Sequence, residues 1–431
     1  MQQVNIFWFR RDLRINDNHG LFRALKDGLP VLPVFILDTD IISLLDEKTD
    51  KRISFIILQL KKLNIQFQKS GSGLFVYRGK PHEIFTKLMS EYSIKTVICN
   101  HDYEPYAIER DFQVKKILNE KGIDFLSFKD QLVFEKNEVI KIDGLPYTVF
   151  TPYSKRWKEL LKQQSFPYFE SEKFLHQLIK KTPVAFTDYN CPPPEECIFP
   201  DSILSINLIK EYEIKRNFPG IKGTSRLGLH LRFGTLSIRE LLTLAIENSE
   251  IWRNELIWRE FFMQILFHFP HVVNKSFKPA YDNINWLNNE KEFNRWCEGT
   301  TGYPMVDAGM RELNESGFMH NRVRMITASF LCKHLLIDWR WGESYFATKL
   351  LDFELSSNNG NWQWAAGSGC DAAPYFRVFN PMTQQEKFDP DYKYIKKWIP
   401  EYGTEKYPKP VVEHQFARQR CIQVYKEALT G

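Results

Sequence analysis

Short, continuous apolar runs alternate with amphipathic stretches over residues 1–130. The apolar runs fall at 4–9, 31–37, 74–78, 96–100 and 123–128. Helical periodicity fills the gaps near 18–27, 51–64, 81–92 and 106–121. A strand buried on both faces needs an unbroken apolar run, so this order predicts a doubly wound parallel sheet with helices on both sides. No GxGxxG follows the first run, and a dinucleotide site of the usual kind is not indicated. Residues 131–200 lose the periodicity, and NCPPP at 190–194 breaks any helix. This stretch reads as a long surface connection. From 201 to 431 the pattern is helical, with examples at 238–248, 252–269 and 321–338. The expected organisation is an α/β domain over 1–130, a linker over 131–200 and an all-helical domain over 201–431.

Composition adds two points. The net charge is only +5, so any anion-binding surface must come from local clustering. Aromatic residues make up 15%, and nine of the eleven tryptophans lie between Trp252 and Trp398. That crowding fits a stacked ligand, a redox relay or ordinary core packing. The seven cysteines are scattered without a CxxC pair, which points to reduced thiols in a cytoplasmic protein rather than disulfides or zinc. No apolar run reaches the roughly 18 residues of a membrane span, and the first residues do not read as a signal peptide.

Four segments of the helical half carry candidate chemistry. Residues 214–238 hold Lys215, Arg216, Lys222, Arg226 and Arg232 without an acid, and Gly-Thr-Ser at 223–225 leads into a helical pattern. This is either an N-cap on a basic surface helix or a phosphate site. Glu255, Trp258 and Arg259 share a helix face, as a solvated pair beside a core indole or as the wall of a polar aromatic pocket. Asn321 and Met325 share another face, with Arg322 beside it and Arg324 expected to point elsewhere. Trp362 and Trp364 stand two apart and project about 200° apart on a helix, so one can face the core and the other a cavity.

The segments WFRRDLRINDN (8–18), GTSRLGLHLRFGTLS (223–237), ELIWREFF (255–262), TGYPMVDAGMRELNESGFMHNRVRMITASFL (301–331), NNGNWQWAAGSGCDAAPYFRVFNP (358–381) and QQEKFDP (384–390) resemble the photolyase/cryptochrome family. The similarity spans nearly the whole chain and is strongest to class I cyclobutane pyrimidine dimer photolyases. It implies a light-driven repair lyase that splits the dimers by electron transfer from excited, reduced FAD. For FAD it implies Tyr212, Thr224, Ser225, Arg226, Leu227, Gly228, Trp252, Arg259, Arg324, Asp352, Phe353 and Glu354, with Asn358 facing flavin N5. Gly228 stands where Ser is usual, and Phe353 where Gly is frequent. Trp362, Trp339 and Trp296 match an electron relay from flavin to surface, with Trp341 an off-path neighbour.

The lesion pocket implied is Glu255, Trp258, Asn321, Arg322, Met325 and Trp364, with Arg216, Arg377 and Gln384 on the DNA backbone. In it, Trp258 and Trp364 sandwich the flipped dimer and Glu255 donates a hydrogen bond in its neutral form. Asn321 and Trp364 separate the chain from (6-4) photolyases, which carry His at the first position, and from DASH-type cryptochromes, which usually carry Tyr at the second. Folate-binding members carry an Asn-Glu pair where this chain has Tyr106 and Ala107, so a folate antenna is not implied. A deazaflavin, a second flavin or no antenna stay open. The expected partner is UV-damaged DNA, met by a monomer away from membranes. The rivals are a cryptochrome photosensor, against which no long tail follows the helical half, and a DNA-binding flavoprotein that has lost repair.

Overall fold

The computed structural model describes residues 3–46 and 48–430. Two compact units emerge. The first takes residues up to Glu135 with Leu160–Ile203 and Arg226–Leu244; the second takes Lys136–Glu159, Leu204–Ser225 and the chain from Ala245 onward.

The first unit is built on five parallel strands, β1 (Gln3–Phe9), β2 (Val31–Asp38), β3 (Phe75–Gly79), β4 (Ser93–Asn100) and β5 (Asp124–Phe128), in the order β3-β2-β1-β4-β5. The apolar runs expected at 4–9, 31–37, 74–78, 96–100 and 123–128 all fall on these strands, within a few residues. In central β1, Phe7 lies opposite Pro33 of β2 and Ile98 of β4. Side chains alternate across the sheet. Phe7 and Phe9 pack with Leu21, Leu60 and Phe67 on one face, while Ile6 and Trp8 pack with Phe85, Leu88 and Val114 on the other. Each such side chain contributes about 1.5–3 kcal/mol on full burial. Helix starts follow the sequence: Asn18 caps His19–Lys26, Asp50 caps Lys51–Gln68, and proline opens Pro81–Glu91 and Pro105–Asn119.

A buried ionic lattice pins the stretch Arg226–Leu244 within this unit. Arg14 donates to Asp130 at 2.7 and 2.8 Å, and Arg239 donates to Asp17 at 2.8 Å and to Asp130 at 2.8 Å. Asp17 takes a positive φ of 50° and also accepts from Ser237.

The second unit is helical around a core that includes Trp296, Met310, Val323, Trp339, Phe346 and Trp362. Gly342 makes this packing possible, because a Cβ there would stand 2.1 Å from the ring of Trp362. Three sequence expectations need correction. Residues 131–200 are not all loop, since Phe150–Leu161 is a helix with Tyr153 and Trp157 fully buried. The Trp157 indole donates to Glu260 at 2.5 Å. The helix expected at 252–269 runs Glu250–His268, because the Ser249 hydroxyl caps Trp252 N–H. The helix expected at 321–338 is interrupted. Asn321–Ser329 passes into a π turn, Phe330–His334, and Leu336 takes φ 48° before Asp338 caps a new helix, Trp339–Lys349. Among the described residues no helix is long and apolar enough to cross a membrane.

Candidate functional site

Glu354 at the N-cap and Gly367 in the left-handed region delimit the helix Leu355–Ala366. Trp362 points into the core at 2% exposure, while Trp364 is half-buried, as their spacing predicts. Both edge a pocket of about 590 Å³, its open solvent included, whose other walls include Asn321, Arg324, Met325, Asp352, Phe353, Glu354 and Asn358. Arg324 therefore does not point elsewhere. It stands three residues after Asn321, and Asn321, Arg324, Met325 and Ala328 form one stripe of the Asn321–Ser329 helix facing the cavity.

The polar groups of this cavity are tightly held. Asn358 donates from Nδ2 to the Glu343 carbonyl at 3.1 Å and to Glu343 Oε1 at 2.9 Å. A carbonyl only accepts, so the amide orientation is fixed and Asn358 Oδ1 is left as a free acceptor. Burial pushes the Glu343 carboxyl above its usual range, against the pull of the Asn358 hydrogen bond. Arg324 donates to Met319 O at 2.7 Å and to Asp352 at 2.9 and 3.1 Å. Arg259 donates to Glu354 at 3.1 Å. Two guanidinium groups thus grip Asp352 and Glu354 on either side of Phe353. Phe346, Leu350, Phe353 and Trp362 supply flat apolar wall. Apolar faces with a few oriented polar groups match an isoalloxazine ring, and Asn358 Oδ1 matches a ring N–H.

A cationic cluster forms a second part of the site. Arg216 is ion-paired with Glu255. Burial raises the Glu255 carboxyl, while the charge and hydrogen bond of Arg216 pull it back. Arg322 donates to Asn217 at 2.6 Å and lies 4.4 Å over the Phe388 ring. Burial, then the charges of Arg216 and Arg377, push Arg322 below its ordinary value. The three arginines therefore share one neighbourhood. Arg377 is exposed and Gln384 half-buried, the latter on the helix Pro381–Phe388. Tyr212 lies 5.6 Å under Arg216.

Several expected residues stand apart from the cavity. Trp258 does not line it: one face of its indole is covered by Phe150, parallel at 3.5 Å. Phe262 also stacks on this indole, at 5.6 Å and 27°. Thr224 and Ser225 cap no helix. The following helix, Gly228–Phe233, starts after Leu227 with no side-chain cap, and Arg226 takes φ 54°. Trp252 is buried in the core. Trp296 needs correction as a surface terminus. It is 0% exposed, its indole donates to Thr327 O at 3.1 Å, and its ring lies 6.1 Å from Trp362. The half-buried tryptophans packed on the same core are Trp286, Trp341, Trp364 and Trp398.

Sequence reasoning missed Glu343, Asn217 and Phe150. Glu343 and Asn217 read as ordinary surface residues. The apolar spacing of Phe150, Tyr153, Trp157 and Leu160 was the available sign of a helix.

In the first unit, the Tyr106 phenol donates to Asp38 at 2.7 Å. It borders a space of about 380 Å³ with Asp40, His82 and Arg110.

Comparison with known proteins places these features. Residues 5–171 match the DNA photolyase family model, and residues 252–404 match the FAD binding domain of DNA photolyase. The chain is 36% identical to the deoxyribodipyrimidine photo-lyase of Agrobacterium fabrum, over 97% of each protein. Its fold is similar to a bacterial class III photolyase from Agrobacterium tumefaciens, with TM-score 0.87, 33% identity and coverage of 100% of this chain and 98% of that one. It is also similar to an archaeal photolyase from Sulfolobus tokodaii with two FAD molecules, with TM-score 0.81, 34% identity and coverage of 98% and 99%.

Proposed function

The chain belongs to the photolyase/cryptochrome family, and we propose how its own residues carry out FAD-dependent, light-driven splitting of cyclobutane pyrimidine dimers in UV-damaged DNA. One observation carries the reading: a single cavity is walled both by Asp352, Phe353, Glu354 and Asn358 and by Asn321, Met325 and Trp364. Cofactor and lesion would then share one space.

When bound and reduced, FAD supplies the light-driven electron that opens the cyclobutane ring. Arg259, Arg324, Asp352, Phe353, Glu354 and Asn358 hold it, and Tyr212, Thr224, Ser225, Arg226, Leu227, Gly228 and Trp252 extend the site as the family pattern implies. Asn358 Oδ1, left free by the Glu343 contacts, would accept from an N–H of the bound ring and so favour its protonated, reduced form. Arg324 is tied to Asp352, which leaves its charge near the ring edge without a net excess.

Arg216, Arg322 and Arg377 take phosphates around the lesion, and Gln384 adds a neutral contact. Trp364 replaces stacking that the extruded bases lose, worth about 1–3 kcal/mol per base, and Trp258 joins it as the family pattern implies. When a phosphate draws Arg216 away, Glu255 loses its counter-charge and binds a proton more readily. It then donates to a pyrimidine carbonyl, where negative charge develops. Trp362 and Trp339 relay charge between cavity and solvent. Trp286 supplies the solvent end, because Leu287 and Asn288 hydrogen-bond to Leu336 and Asn288 accepts from Asp338 N–H, beside Trp339. The protein acts as a cytoplasmic monomer, consistent with seven free cysteines. The space beside Tyr106 and Arg110 is the place for a second chromophore of non-folate type.

The test is repair of a dimer-containing oligonucleotide under blue light with a dark control. Restored pyrimidines in the light alone support the reading, and a photosensor would bind FAD without restoring them.

A further inference from the structure

Lys333 lies in the π turn Phe330–His334, where Leu335 N–H reaches back to Phe330 O at 3.1 Å. Such turns insert one residue into a helix and re-aim the side chains around it, and they recur at functional positions. The lysine is 1% exposed and has no ion-pair partner among the described residues. Its neighbours are the thiols of Cys332 and Cys421 and the guanidinium of Arg377, and burial pushes its ammonium below the ordinary lysine range. Its one hydrogen bond runs from Nζ to the carbonyl of Arg377 at 2.9 Å. A buried cation without a carboxylate is costly, and an apolar side chain of similar length would avoid the cost.

What the lysine holds is informative. Residues 371–380 have no helix or strand, and within them Arg377 is tied only to its own turn, N–H to Pro374 O at 2.9 Å. The Arg377 guanidinium lies 5.6 Å over the Phe379 ring, and Phe379 lies 6.5 Å from the cavity-lining Trp364. We infer that Lys333 is a positioning residue for damaged DNA. It clamps the Arg377 backbone so that the guanidinium stands with Arg216 and Arg322. This rests on the reading of Arg377 as a phosphate contact.

A purely structural lysine would alter folding or flavin content, but not the number of phosphates engaged. The experiment measures binding of a dimer-containing duplex across a salt series for wild type, Lys333→Met, Arg377→Ala and the double variant, with flavin absorbance recorded for each. Loss of one phosphate contact lowers the slope of log affinity against log salt by about 0.9. Lys333→Met and Arg377→Ala are each expected to lower it by that amount with flavin retained, and the double variant is expected to match Arg377→Ala alone. An unchanged slope for Lys333→Met overturns the inference, as does a further drop in the double variant. An unchanged slope for Arg377→Ala instead removes the phosphate contact on which the inference rests, and with it the inference. If Lys333→Met does not fold, Lys333→Leu, a shorter apolar arm without a donor, is read by the same slope. A fall of less than half that amount, with flavin retained, then overturns the inference.

Discussion

Arg216 and Glu255 form an ion pair in the second unit, the guanidinium Nη1 donating to the carboxylate Oε1. The two residues have opposite duties in the proposed mechanism, one toward phosphate and one toward a pyrimidine carbonyl. Their pairing makes those duties sequential: Glu255 is released only when Arg216 finds another anion.

The pair sets a pH dependence. Burial raises the Glu255 carboxyl and Arg216 lowers it, with a net rise. A raised carboxyl is neutral below its pKa, so lesion affinity should increase as pH falls through that value, and the midpoint should move higher in the DNA complex. Glu255→Gln, neutral throughout, should flatten the profile, while Glu255→Ala should retain FAD and lose repair by about 2.7–4 kcal/mol, the loss typical of a donor at developing charge. Equal pH profiles for wild type and Glu255→Gln would exclude the protonated donor.

The relay makes a separable prediction. Trp362→Phe should abolish photoreduction of oxidised flavin while chemically reduced protein still repairs. Trp286→Phe should slow photoreduction. Trp296→Phe should leave it intact, because Trp296 is fully buried and offers no solvent end. Transient absorption after a blue flash reads all three, and a lost signal in Trp296→Phe returns that residue to the relay.

Backbone and lesion contacts should separate by salt. Arg216→Ala and Arg322→Ala should each reduce the slope of log affinity against log salt by about 0.9. Trp364→Ala should keep the slope and cost about 1–3 kcal/mol of lesion preference, since stacking reads the flipped base and not the phosphates. Equal weakening on damaged and undamaged duplexes in Trp364→Ala would mean that its indole does not meet the lesion.

The ionic lattice of the first unit governs acid stability. Burial raises the Asp130 carboxyl, but the charges of Arg14 and Arg239 and their hydrogen bonds outweigh it, leaving a depressed pKa. That stability is present above the ordinary aspartate range and is lost as pH falls through the depressed value. Asp130→Ala leaves two guanidinium groups short of a partner and should cost about 3–5 kcal/mol in thermal or urea unfolding at neutral pH. A loss under 1 kcal/mol would show that solvent reaches the lattice.

The sheet was legible because its strands are buried on both faces, so Val31–Asp38 reads as one apolar run. The stripe Asn321, Arg324, Met325 and Ala328 was legible in spacing, since three residues from Asn321 bring Arg324 onto the same face. The break after Ser329 was not legible. A π turn uses ordinary helix-forming residues, and only the long-range contacts of Lys333 and His334 select it. Glu343 was invisible for a similar reason, since its role is to orient an amide fifteen residues ahead. Trp296 and Trp286 differ in burial, which tryptophan content alone does not report.

The central claim is that one cavity joins flavin and lesion. The most direct measurement is the yield of restored pyrimidines in a dimer-containing oligonucleotide mixed with chemically reduced, FAD-loaded protein, under blue light and in the dark. Repair confined to the illuminated sample, and lost in Glu255→Ala with FAD retained, is the predicted result. Absence of repair in the light with FAD bound and DNA engaged, or equal repair in the dark, would contradict it.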